Sequence, residues 1–230
     1  MIATDQPAAV VLATAATSLK LILTDAQIGQ LLDYMALIQK WTKVYNLTAV
    51  RDPAEMLTHH LLDSLAVIVP LRQQISSMRS AMLPDAPPQS LRLLDVGSGA
   101  GLPGVVIAIC CPDIMVHCVD TVGKKAAFIQ QVAVTLRLPN LRGIHARVES
   151  LTDKYQVISS RAFASLADFT SWSANTLAEQ GVWMAMKGKH PGYEMAALPE
   201  CVAVFHVEQL DVPGLEAERC IVWMRSAVTD

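Results

Sequence analysis

A glycine-rich run, Asp95-Val96-Gly97-Ser98-Gly99-Ala100-Gly101-Leu102-Pro103-Gly104, constrains this 230-residue chain more than any other feature. Apolar residues 91–96 precede it and a helical stretch, 103–111, follows it. A strand that turns through glycines straight into a helix is the context a nucleotide-type ligand needs, although taken alone it can also be a plain tight turn. Glycines there let the backbone approach a ligand closely. The spacing is not the dinucleotide pattern G-x-G-x-x-G, because Leu102 takes the sixth place counted from Gly97. It is Asp-x-Gly-x-Gly-x-Gly, with an acidic residue closing the strand. The same alternation continues downstream. Residues 115–119, 143–146, 156–159 and 182–186 read as strands, and 123–138 and 167–178 as helices. Residues 201–207 and 220–224 read as two closing strands with no long helix between them, which allows one to be antiparallel. The expected fold is α/β, with a doubly wound, mostly parallel sheet.

Composition fits a sheet buried on both faces. The chain is 52% hydrophobic and 17% charged, with mean hydropathy +0.35, which excludes global disorder and raises the question of a membrane span. The longest clean apolar stretch in mid-chain runs over 104–111 and stops at Pro112. A spanning helix needs about 20 such residues. Residues 8–16 are small and apolar, but 1–7 contain no Lys or Arg and do contain Asp5. A secretory signal wants a positive start, so this stretch reads as a ragged tail leading into a first helix.

Before the alternation, residues 18–70 read as helical. Thr24 and Gln27 form a capping box, and Ile28, Leu31, Leu32, Met35, Ile38 and Trp41 recur at helical spacing. Asn46-Leu47-Thr48 breaks the period, and Asp52-Pro53 opens the next helix. Residues 71–90 are poorer and end in Pro84-Asp85-Ala86-Pro87-Pro88, which reads as a linker. The expected organisation is a helical extension and linker over 1–90, then a ligand-binding domain over 91–230.

Net charge is −3, and neither half is basic, so composition names no nucleic-acid partner; a local patch would suffice for one. Cys110, Cys111, Cys118, Cys201 and Cys220 lie in apolar runs with no C-x-x-C spacing. They read as buried thiols in a reducing compartment, with no disulfide frame. No metal site is expected, since the adjacent His59 and His60 point apart on a helix.

Two elements, added to the loop's own spacing, give the glycine loop a ligand. Asp120 ends the second strand, 19 residues after Gly101, where a carboxylate can accept ribose hydroxyls. Arg147-Val148-Glu149 follows the third strand, where an adenine ring would be sandwiched. With Gly97 and Gly99 in the loop, these resemble class I methyltransferases that use S-adenosylmethionine. The resemblance extends to one bacterial family. Trp41-Thr42-Lys43-Val44-Tyr45-Asn46-Leu47-Thr48, Arg51-Asp52-Pro53, His60-Leu61-Leu62-Asp63-Ser64, Gly123-Lys124-Lys125, Ser160-Arg161-Ala162-Phe163-Ala164 and Lys187-Gly188 resemble, in order, ribosomal RNA small subunit methyltransferase G, also called glucose-inhibited division protein B. The match covers roughly 19–225; residues 72–89 depart from it, being longer and more proline-rich than the usual linker. The resemblance implies a seven-stranded Rossmann-like methyltransferase sheet. It also implies methyl transfer to N7 of a guanine in small-subunit (16S) ribosomal RNA, and cofactor contacts at Gly97, Leu102, Val148, Glu149 and Arg161.

Guanine N7 carries an unprotonated lone pair. The sulfonium is an activated donor, so no general base and no cysteine nucleophile is expected, and positioning is the enzyme's task. Where exocyclic-amine methyltransferases carry Asn/Asp-Pro-Pro-Tyr, this chain has Ser160-Arg161-Ala162-Phe163. Arg161 and Lys187 fall on the ligand edge of the sheet and are the expected positioning groups. Lys124, Lys125, Lys187 and Lys189 are candidate RNA backbone contacts, and Phe163 is either a platform for a splayed base or a core residue. Trp41, Tyr45, Arg51 and His60 are expected to dock the extension, with Arg51 also able to reach substrate. The expected partner is small-subunit RNA or the assembling 30S subunit, met by a cytoplasmic monomer without metal or membrane. A small-molecule methyltransferase and a non-catalytic nucleotide-binding module remain open alternatives, the latter disfavoured by Leu102.

Overall fold

The computed structural model describes residues 6–81 and 91–227. Among the described residues seven strands form one sheet in the order β3-β2-β1-β4-β5-β7-β6. They are β1 (Leu91–Val96), β2 (Ile114–Asp120), β3 (Leu141–His145), β4 (Tyr155–Arg161), β5 (Leu177–Lys187), β6 (Val202–Leu210) and β7 (Arg219–Ser226). The first five are parallel, and β7 runs antiparallel to both β5 and β6. The order reverses between β1 and β4, and ligands of such sheets lie beyond the strands' carboxyl ends at that switch point. Among the described residues no helix is long and apolar enough to cross a membrane.

Alternation along each strand divides two cores. Leu93, Val116, Val157, Met184 and Trp223 face one side, and Leu94, Val119, Ile158, Trp183 and Val222 the other. On the first side lie α6 (Gly104–Cys110) and α7 (Gly123–Thr135), and the N-terminal helices pack into that same core. These are α1 (Gln6–Ser18), α2 (Asp25–Tyr45), α3 (Pro53–Met56), α4 (Asp63–Leu65) and α5 (Ile68–Ala81), with a π-helical turn over Leu57–Leu62 joining α3 to α4. On the second side lies α8 (Leu166–Ser173), with the short α9 (Gly192–Ala196) following β5.

Local signals set the helix ends. The Thr24–Gln27 capping box forms at the start of α2, Asn46 closes that helix in the left-handed conformation at φ 51°, and Asp52 caps α3 ahead of Pro53. Three expectations need correction. The stretch read as a ragged tail is helix α1, because Leu12, Ala15 and Ala16 are buried against the rest of the core. The stretch read as linker is helical up to Ala81: Leu71 and Ile75, one turn apart, are buried, while Gln73, Ser76 and Ser77 occupy other faces. The proline-rich residues 84–88 lie outside the described residues. Cys201 is exposed, because it precedes the edge strand β6, whose side chains are only half-buried; the other four cysteines are buried.

Candidate active site

The glycine loop is held on both sides by carboxylates. Asp95, at the end of β1 and fully buried, accepts from Gly104 N–H through Oδ2 (3.0 Å) and from the Ser159 hydroxyl through Oδ1 (2.8 Å). Burial pushes its pKa up to about 6, outweighing those two bonds. Asp120, at the end of β2, accepts from Gly99 N–H (3.0 Å) and Val122 N–H (2.8 Å). From the extension, the buried Tyr34 hydroxyl donates to Ala100 O at 2.7 Å. The loop residues Gly97 and Gly101 take φ of 64° and 90°, in the left-handed region that favours glycine. A Cβ on Gly97 would strike the ring of Phe163, so that ring lies directly on the loop backbone.

Two cavities open along this edge. One, of about 470 Å³, is bounded by Val96, Asp120, Lys125, Val148, Glu149 and Trp172. The other, of about 480 Å³, is bounded by His60, Asp63, Leu102, Arg161, Lys187 and Arg219. Gly97 and Ala162 belong to both. Ala162, just after β4, has φ 50°, so the chain bends sharply where the cavities meet.

The expected site residues divide between them. Gly97 touches both cavities; Asp120, Val148 and Glu149 line the first; Gly99, Leu102 and Arg161 line the second. Arg161 also secures the extension: its Nη1 donates to His59 O (2.9 Å) and Asp63 Oδ2 (2.8 Å). Lys187 lies on the second cavity, and its ammonium is engaged by both oxygens of Glu194 (3.1 and 2.8 Å) and by Ala164 O (3.0 Å). Phe163 lines the first cavity and meets Trp172 edge-on at 5.8 Å. Lys125 stands 3.5 Å from Asp120, Lys124 lies over the ring of Tyr45, and Lys189 is exposed. Trp41 packs on Phe128 of α7 and so docks the extension, whereas His60 also lines the second cavity.

Sequence reasoning did not nominate three groups at this site. Asp63, almost fully buried, bridges Arg161 and Arg219, its Oδ1 accepting from Arg219 Nε at 2.8 Å. An acidic residue among the apolar positions of residues 57–65 was the available signal. Arg219, at the start of β7, carried none. Thr48 Oγ1 lies 2.8 Å from His60 Nε2, and burial with the nearby Arg161 charge lowers the His60 pKa, so the imidazole is neutral at pH 7. His60 Nδ1 and Ser98 Oγ are buried without a hydrogen-bond partner among the described residues, and both residues line the second cavity. Among the described residues no group of three His, Cys, Asp or Glu is placed to hold a metal.

Comparison with known proteins decides the family. Residues 27–222 match the family model described as GidB: rRNA small subunit methyltransferase G. The chain belongs to this family. A ribosomal RNA small subunit methyltransferase G from Albidiferax ferrireducens is 70% identical over 91% of this chain and 93% of the relative. One from Polaromonas naphthalenivorans is 65% identical over 98% and 99%. Among solved structures, TrmN from Thermus thermophilus superposes with a TM-score of 0.53 at 16% identity, covering 74% of this chain and 53% of that one, which is a likeness of fold. A methyltransferase G is an S-adenosylmethionine-dependent enzyme of small-subunit ribosomal RNA.

Proposed function

We propose that this methyltransferase G divides its two cavities between the adenosyl end of S-adenosylmethionine and the target guanine, and transfers the methyl group to guanine N7 by direct displacement. The observation that carries this is the junction at Gly97 and Ala162, the two residues common to both cavities. In the first cavity Val148 packs on the adenine, Glu149 and Asp120 accept from its polar groups and the ribose, and Phe163 holds the loop backbone in shape. The bound cofactor supplies a methyl group already activated on sulfur. Loop residues Gly97, Gly99 and Leu102 carry the backbone past the sulfonium, where a side chain at position 97 would meet Phe163.

In the second cavity Arg161, set by Asp63 and His59, and Arg219 form a cationic wall with one carboxylate between two guanidiniums. His60 and Ser98 are polar residues on the lining of this cavity, able to pair with the polar edge of a purine. N7 needs no deprotonation before attack, which agrees with the neutral His60 and with cysteines whose thiols burial pushes up, Cys110 to about 12. The chain's contribution is then alignment of the two reacting atoms, which supplies up to about 7–11 kcal/mol in favourable cases. The test uses purified protein, labelled S-adenosylmethionine and small subunits lacking the modification. Borohydride–aniline cleavage should locate N7-methylguanine at a single position. Label at another atom, or none in the RNA, overturns the reading.

A further inference from the structure

Beside the second cavity, one segment is built as a projection. Residues 188–193 leave the sheet after Lys187 and run into the first turn of α9, where the Glu194 side chain reaches back to Lys187 and the ion pair closes the base. The closure is anchored further, since Lys187 also donates to Ala164 O and Glu194 Oε2 also accepts Leu166 N–H at 2.8 Å. A turn with Gly192 N–H donating to His190 O at 3.0 Å shapes its tip. Gly188, Lys189, His190, Gly192 and Tyr193 are exposed. Tyr193 keeps 97% of its surface in water, more than any other exposed large hydrophobic residue described. Residues 187–193 contain no carboxylate, so the one acidic group at the base is consumed by Lys187.

We propose that residues 188–193 form an RNA-gripping finger in which Tyr193 stacks on an unpaired base beside the target guanine and Lys189 meets its phosphate. The inference rests on the assignment of the second cavity to that guanine. A base that enters a cavity at the sheet edge must leave its stack, and this strips its neighbour of one stacking partner. RNA-binding proteins take up such bases on aromatic side chains, with cations tracking the backbone. The finger supplies both beside Gly188, which itself lines the cavity. Pinning at both ends fixes the backbone that carries the ring, which lowers the ordering cost on binding.

The test measures methylation kinetics on small subunits lacking the modification, with the full chain and its Tyr193→Ala, Tyr193→Phe and Lys189→Ala variants. Tyr193→Ala should raise KM for the subunit about 10-fold, the order expected for one lost base–aromatic stack. Its kcat, its affinity for S-adenosylhomocysteine and its thermal midpoint should not change, and Tyr193→Phe should restore KM. Lys189→Ala should reduce the salt dependence of RNA affinity by about one ion. A KM unchanged by Tyr193→Ala in an enzyme that methylates guanine N7 overturns the finger alone. A wild-type chain that leaves N7 unmodified overturns the cavity assignment and the finger together.

Discussion

Replacing Asp95 by Asn tests how the glycine loop is held. The carboxyl is fully buried and its pKa stands at about 6 against the ordinary 3.8. That rise corresponds to about 3 kcal/mol. The sign follows from proton counting. Between about pH 4 and 6 the native chain keeps this proton while the unfolded chain has released it, so this group's contribution to stability falls as pH rises through that window and stays low above it. Asn removes the charge and keeps both contacts: its oxygen can accept from Gly104 N–H, and its amide can donate to the Ser159 oxygen, reversing that bond. Urea unfolding of both proteins should be followed at steps from pH 4 to 7.5 through tryptophan fluorescence, with the buried Trp183 and Trp223 as reporters. Groups that titrate alike in both proteins cancel in the difference. Stability of the variant minus that of the wild type should climb by about 3 kcal/mol across the window, a midpoint shift on the order of 1 M urea. A difference that stays flat, or that falls with pH, refutes the account of a carboxylate held against its desolvation.

Three further outcomes follow from the same geometry. Glu149 is exposed on the wall of the first cavity, so Glu149→Ala should weaken S-adenosylhomocysteine binding about 10-fold by calorimetry, as loss of a bond to a charged acceptor predicts, with an unchanged thermal midpoint. Asp63→Ala strands Arg161 and Arg219, and should cost about 2–3 kcal/mol in urea unfolding. That lies below the range for wholly buried pairs, because the two arginine side chains keep 20% and 23% of their surface in water. Tyr34→Phe deletes only the hydroxyl that donates to Ala100 O, and should cost about 1 kcal/mol while weakening cofactor affinity by a measurable factor.

Features written in local patterns were legible in the sequence. The glycine loop, the caps at Thr24 and Asp52, and the alternating strands depend on residues a few positions apart, and the strand–helix alternation then restricts the topology. Helix α5 reads as linker because Gln73, Gln74, Ser76, Ser77 and Ser80 interrupt its apolar pattern, while its burial rests on a few apolar positions such as Leu71 and Ile75. The site's charges were harder to read. Whether Lys187 is a free cation depends on Glu194 folding back seven residues later, and whether Asp63 is a surface acid depends on Arg219, 156 positions away. Position 161 was visible as a site residue; its second task, securing the π-helical turn, was not, because its partner His59 O is a backbone atom.

The Tyr34–Ala100 bond has an implication for how the molecule comes apart. A loop that must hold still during methyl transfer draws part of its rigidity from a helix some sixty residues earlier in the chain. The buried apolar side chains of α2, and Leu91 and Leu93 of β1, belong to one continuous interior. Local opening of α2 therefore releases the loop as well, and a ligand that tightens the loop should slow hydrogen exchange at α2 amides it never touches. The expected boundary at residue 90 thus falls across a single interior, and the two sides should open, and answer a ligand, together.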